Sequence, residues 1–284
     1  MKPVSWICTF GLILFITQAP VQAQAPGGPP PPAGGMALYG EAGPHFEKAK
    51  PSDIRAYVTK ALEQPLDSAL MAQADKAVGK HVVISWGSAR GNILDTMLAG
   101  NGDFEVAIVL PDVNQKALAA GKIKPRTYEI ARTPIAFGVR GDASAVDMST
   151  PEAVKRTLLA ATSVKYAPTG AALLTVKKVL SDLQIGDKIK DNSKTAEDVA
   201  LSGNQYEISI YPLSEAIPRL QSKTVTIGPV IKEFQVPSIV EASIGANARD
   251  VAGAEALIKF LQGPATDAAF KAAGLGKDGK VASR

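Results

Sequence analysis

From Ile54 onward, short apolar runs bounded by turn residues alternate with stretches whose apolar residues recur at helical spacing, and a chain with that rhythm folds as α/β. IRAYV (54–58) and HVVISW (81–86) flank a segment in which Leu66, Leu70, Ala74 and Ala77 share one helical face. EVAIVL (105–110) follows a second helical stretch over 93–98. A strand–helix–strand–helix–strand opening of this kind predicts mostly parallel strands. Further strands are expected in ARTPIAFGVR (131–140), SVKYA (163–167), EISIYPL (207–213) and TVTIGPV (224–230), with helices over 171–183 and 214–221. So many strands call for a second sheet, and 284 residues at 46% hydrophobic are enough to bury the cores of two domains. The chain closes on AGAEALIKFLQGPATDAAFKAAGL, two amphipathic helices divided by Gly263 and Pro264, which stop the first and start the second.

Ahead of this core, Lys2, the apolar run ICTFGLILFI (7–16) and Val21-Gln22-Ala23 follow the order of a cleavable export signal over 1–23. The run is shorter than the roughly 20 residues a transmembrane helix needs, and no second long apolar run follows. APGGPPPPAGG (25–35) combines extended proline backbone with glycine that has nothing to bury, so 24–44 is expected to be a Pro/Gly-rich tether. Cys8 is the chain's single cysteine and lies inside the signal, so the exported chain is expected to carry no disulfide. Removing 1–23 takes away one lysine and no acid, moving the formal charge from +4 to about +3. That small excess is spread along the chain and gives no basic block of the kind that binds nucleic acid.

Most catalytic and metal chemistry lacks its parts. The two histidines, His45 and His81, are far apart and no cysteine remains after processing, so neither a Cys/His metal site nor a cofactor is expected. Gly87-Ser88-Ala89-Arg90-Gly91 resembles a nucleophile elbow only superficially, because the glycine required two residues before the serine is Trp86. Neither a phosphate loop nor a dinucleotide fingerprint is present. What does recur is a strand that ends in small or hydroxyl residues and opens into a helix. Val58-Thr59-Lys60-Ala61 leads toward the helix at Leu66, and Trp86-Gly87-Ser88-Ala89-Arg90-Gly91 leads into the helix at Ile93. Two helix starts side by side direct unpaired N–H groups at a common point, which suits an anion. Every α/β protein has such turns, so the pattern alone is a weak signal.

In the order of its segments the chain resembles the periplasmic molybdate-binding proteins and the wider type II solute-binding group, from about Ile54 to Leu275. HVVISWGSARGNILDTMLAGNGDFEVAIVLPD is similar to that family's strand, small-residue loop, helix, second strand and closing aspartate, here Asp112. YAPTGAALLTVKKVL, TAEDVA and ISIYPLSEA match in the second half, and LIKFLQGPATDAAFKAAGL looks like the closing helices. The resemblance implies a two-lobed α/β fold of the type II periplasmic-binding kind, each lobe a mostly parallel sheet flanked by helices. The apolar crossings near 132–133 and 236–237 and the returning C-terminal helices divide it into lobe one, 45–132 with 237–284, and lobe two, 133–236. It further implies a monomer in the periplasm that is not an enzyme, a small anionic ligand held between the lobes, and an ABC permease of the inner membrane as partner.

Carried over position by position, Thr169 and Val199 fall where the family offers backbone N–H groups, and Tyr211 falls on its hydroxyl donor. The first lobe departs from the pattern. Ala61 stands where a serine ends the first strand, with Thr59 two residues earlier as a substitute, and Ser88-Ala89-Arg90 stands where paired small hydroxyl residues are expected. Lys60 and Arg90 flank these turns as solvated charges, or else one of them enters the cleft. An arginine fork there would favour a carboxylate or phosphate ester over a molybdate-like oxyanion. Two other classes stay open on the same fold: a hydrolase or transferase with Ser88 or Lys60 as nucleophile, and a ligand-sensing module.

Overall fold

Alternation in IRAYVT puts Ile54, Ala56 and Val58 on one face of a strand and Tyr57 on the other, and all four are buried, so β1 (Ile54–Thr59) lies inside a sheet. The computed structural model describes residues 46, 49–189, 202–221 and 226–277, all within one compact unit, Gly34–Arg284. The expected export signal, the Pro/Gly tether and Val199 lie outside the described residues.

Helix α1 (Ser68–Val78) starts where the Asp67 carboxylate accepts from Leu70 N at 2.8 Å and stops at Gly79, whose φ of 73° is left-handed. β2 (Val82–Gly87), α2 (Leu94–Ala99), β3 (Val106–Val109) and α3 (Pro111–Ala119) follow. VAIV in β3 is buried throughout, as a strand covered on both faces must be. Pro111 opens α3, where its missing N–H costs nothing. Then come β4 (Ile123–Thr133), β5 (Ile135–Gly141), α4 (Pro151–Ala160), β6 (Ser163–Lys165) and α5 (Leu173–Leu183). β7 (Tyr206–Pro212), α6 (Leu213–Gln221), β8 (Thr226–Pro229), β9 (Ser238–Gly245), α7 (Val251–Gln262) and α8 (Asp267–Ala272) complete the described chain.

The strands form two sheets, in the orders β2-β1-β3-β9-β4 and β6-β7-β5-β8. Each has its own core. Ile54, Val58, Ile108, Val240, Leu257 and Phe270 belong to one cluster, and Phe137, Leu158, Val164, Val176 and Ile208 to another. A third cluster, including Tyr57, Ala89, Ile93, Phe104 and Leu110, contains Tyr57 from the other face of β1.

Two sheets flanked by helices are as the residue pattern predicts, but strand direction differs in part from the mostly parallel expectation. β1 runs parallel to β2 and β3, and β6 to β7, whereas β9 is antiparallel to β3 and β4, and β5 to β7 and β8. Helical crossovers impose parallel pairing within one sheet. β5 and β9 instead receive the chain from the other sheet, so nothing obliges them to run with their neighbours. ARTPIAFGVR, read as one strand, is split at Pro134, which has no N–H to continue a ladder.

The chain therefore passes from the first sheet to the second at Pro134 and returns between β8 and β9. Gln235 ties the two crossings together: Ile135 N donates to its Oε1 at 2.7 Å and its Nε2 donates to Ile135 O at 3.0 Å. Thr175 reinforces the return, its hydroxyl donating to Val236 O at 2.9 Å and accepting from Val236 N at 3.1 Å.

Candidate ligand-binding site

Because β1 and β2 are parallel neighbours, with Thr59 paired to Gly87, the segments that follow them emerge side by side. The first is a 3-10 turn, Lys60–Leu62, and the second a helical turn, Ala89–Ile93, that runs into α2. The second turn is built tightly. A Cβ on Gly87 would lie 2.5 Å from Asn92 Oδ1, the same oxygen that accepts from Ser88 N at 2.9 Å. Gly91 departs from helical geometry inside the turn, and a Cβ there would stand 3.3 Å from Ser88 Oγ and 3.7 Å from Thr169 Oγ1. Glycine at 91 thus keeps side-chain bulk out of the space where the two lobes meet.

The segment that meets this turn follows β6 of the second sheet. Ser88 Oγ and Thr169 Oγ1 lie 3.0 Å apart, and either hydroxyl can donate. Arg90 presents its fork to Asp112, Nε to Oδ2 at 2.7 Å and Nη2 to Oδ1 at 3.0 Å, while its Nη1 donates to Gly170 O at 2.6 Å. Next in line, Ala171 packs against the cluster that contains Ala89 and Ile93. Three consecutive residues of one lobe, 169 to 171, contact the turn of the other through a hydroxyl, a carbonyl and a methyl group.

Charge at this point is balanced. The Asp112 carboxylate, in the first turn of α3, offsets the guanidinium, so the side-chain groups offered to a ligand between turns 88–90 and 169–170 are the neutral hydroxyls of Ser88 and Thr169, while Gly91 N and Ile93 N donate to Ser88 O at 3.2 Å within the turn. Among the described residues no group of three or more His, Cys, Asp or Glu side chains is placed to hold a metal ion.

Of the residues singled out from sequence, Ser88, Ala89, Arg90 and Thr169 are brought together here. Thr59 and Ala61 are both buried at the neighbouring turn, which packs against α6. The Thr59 side chain does not cap that turn. Lys60 is half-buried, and its amine makes no hydrogen bond or ion pair among the described residues. Tyr211, 2% exposed and next to last in β7, lies in a separate cluster with Ala136 of β5 and with Leu213, Ala216 and Ile217 of α6. Sequence reasoning missed Asn92 as the brace of the Ser88 turn, Asp112 as the partner of Arg90, and the Gly170 carbonyl. An asparagine four residues beyond a serine is a local signal that could have been read. The Arg90–Asp112 pair, 22 positions apart, has none.

A family model described as bacterial extracellular solute-binding protein matches residues 54–276. No curated protein matches the chain significantly. Among solved structures, the periplasmic molybdate-binding protein of Azotobacter vinelandii aligns at TM-score 0.58 and 20% identity, over 79% of this chain and 99% of that one. The sulfate-binding protein SubI of Mycobacterium tuberculosis aligns at TM-score 0.63 and 13% identity, covering 79% and 86%. Iron-bound HitA of Pseudomonas aeruginosa aligns at TM-score 0.63 and 12% identity, covering 82% and 89%. At these identities the shared property is the two-lobed fold.

Proposed function

Because this chain belongs to the bacterial extracellular solute-binding proteins, we propose that it captures a small tetrahedral oxyanion between its two lobes and delivers it to an ABC permease of the inner membrane. The lobes in this reading are 45–132 with 237–284 and 133–236, and the exported monomer works in the periplasm without a nucleic-acid partner. The observation that carries the ligand class is the neutral donor set: the Ser88 and Thr169 hydroxyls face each other across the lobes while Asp112 occupies the fork of Arg90. Hydroxyls and helix-start N–H groups stabilise a small dianion by directed hydrogen bonds and select it by fit. An iron ion of the kind bound to HitA would need converging carboxylates, phenolates or imidazoles, and the donors gathered at 88–90 and 169–170 are neutral hydroxyls and a guanidinium already paired with Asp112. Molybdate and sulfate, the ligands named for two structural neighbours, are small tetrahedral dianions of the class proposed.

Capture is favoured over catalysis because the partner of the Ser88 hydroxyl is another hydroxyl, not a base that could take its proton. A second reading, an organic carboxylate or phosphate ester, is favoured by Lys60 alone, whose amine stands beside the first turn with no partner among the described residues.

A thermal-shift panel of molybdate, tungstate, sulfate, phosphate, small carboxylates and phosphate esters decides between them. A ligand that binds only the folded protein stabilises it by about 4 kcal/mol at a thousandfold excess over Kd. One of the tetrahedral oxyanions should give the largest shift, and Thr169→Val, which removes one of the two facing hydroxyls, should reduce it. A larger shift from a carboxylate or ester, abolished by Lys60→Ala, overturns the oxyanion reading.

A further inference from the structure

Arg90 joins the lobes through a hydrogen bond, and its geometry differs from that of a group waiting for a ligand. Its side chain is 10% exposed. Two of its nitrogens are held by both oxygens of Asp112, which belongs to the same lobe and sits in the first turn of α3, where a carboxylate is favoured by the helix dipole. That pairing fixes the plane of the guanidinium and aims the remaining nitrogen across the cleft, where Nη1 meets the carbonyl of Gly170, 80 positions away, at 2.6 Å. The bond to Asp112 exists whether or not the lobes are together. The bond to Gly170 exists only when they are closed, so all of its free energy belongs to the closed form.

We propose that Arg90 is an inter-lobe clasp, a positioning residue that, braced by Asp112, raises the closed fraction of the ligand-free protein. Its charge is spent on the lobe contact instead of on the ligand. The inference goes beyond the binding reading, since it concerns the protein without ligand; only its effect on affinity rests on that reading. Binding strength scales with the fraction of molecules in the competent state, and release requires the clasp to open, so the clasp strengthens binding chiefly by slowing dissociation. The Ser88–Thr169 hydroxyl pair closes at the same place but is available for exchange with ligand oxygens, so Arg90 can keep the lobes in register while those hydroxyls turn toward the ligand.

Small-angle X-ray scattering of the ligand-free full chain tests this directly. Arg90→Ala should enlarge the radius of gyration relative to wild type. Asp112→Ala should do the same, and the double variant should be no wider than either, because both residues act through one bond. Arg90→Lys, a milder change, should also widen the molecule, since an ammonium cannot hold both Asp112 oxygens and reach the Gly170 carbonyl in one plane. Circular dichroism of each variant checks that it folds. With whichever anion the thermal-shift panel identifies, Arg90→Ala should raise the dissociation rate and weaken affinity about tenfold, or about 1.4 kcal/mol. Ligand-free scattering of Arg90→Ala and Arg90→Lys that superimposes on that of wild type overturns the clasp, whatever the ligand proves to be. A panel without any hit, with the widening present, would overturn the binding reading and leave the clasp standing.

Discussion

The hydroxyl oxygens of Ser88 and Thr169 stand 3.0 Å apart although 81 positions separate the residues, and they belong to turns that follow strands of different sheets. This contact is therefore a direct reporter of lobe closure. A double-mutant cycle with Ser88→Ala and Thr169→Val should give a coupling energy of about 0.5–1.5 kcal/mol in chemical denaturation without ligand. Additive effects would mean that the two hydroxyls do not meet in solution.

Gly170 leaves no room for a side chain. A Cβ there would lie 2.7 Å from the Ala167 Cβ and 3.2 Å from the Ala167 carbonyl oxygen, which already accepts from Gly170 N at 3.0 Å. Gly170→Ala should cost about 1–3 kcal/mol of stability and displace the Thr169 hydroxyl, weakening ligand binding. Gly186→Ala, where a Cβ would meet nothing within 4 Å, should leave binding intact. Isothermal titration of both variants is the check.

Glu207 gives the second sheet a titratable brace. Burial alone would raise its carboxyl, but hydrogen bonds from Lys165 and Ser163, each at 2.7 Å, and from Arg140 at 3.4 Å outweigh this and hold it below its ordinary 4.5. A carboxyl depressed in the folded state contributes stability above its unfolded value, and that contribution is lost as pH falls through the folded one. The part of the stability that Glu207 supplies should therefore be lost as pH falls below about 4.5, and Glu207→Gln should remove that pH dependence while costing about 3 kcal/mol at neutral pH. Urea denaturation across pH 3 to 7 measures both effects.

Gln235 is predicted to hold the crossings. Its replacement by alanine leaves the N–H and C=O of the buried Ile135 without their side-chain partners, a loss of about 1–3 kcal/mol. Because these bonds lie where the chain changes sheets, Gln235→Ala should also speed hydrogen exchange at Ile135 and Val236. Protection unchanged at both amides would show that the crossing is held by other contacts.

Sequence periodicity alone determined the α/β class and the positions of β1, β2 and β3, of α1 with its Leu70 and Ala74 face, and of the closing helices either side of Gly263 and Pro264. In each, burial repeats over a few residues and leaves a local trace. The strand–turn–helix pattern also singled out Ser88 and Arg90, and the family resemblance singled out Thr169, as residues beside the candidate site. β9, the polar first part of β4, α3 and α4 left too weak a trace to be read, since LLA in α4 is surrounded by charged and hydroxyl residues, and KPRTYE in β4 is only partly buried. Only the tertiary structure decided strand direction, which follows from where the chain enters each sheet. It alone also decided the role of Arg90, because a guanidinium's partner depends on the path of the whole chain: Asp112 is 22 positions away and Gly170 is 80, distances over which side-chain spacing carries no information.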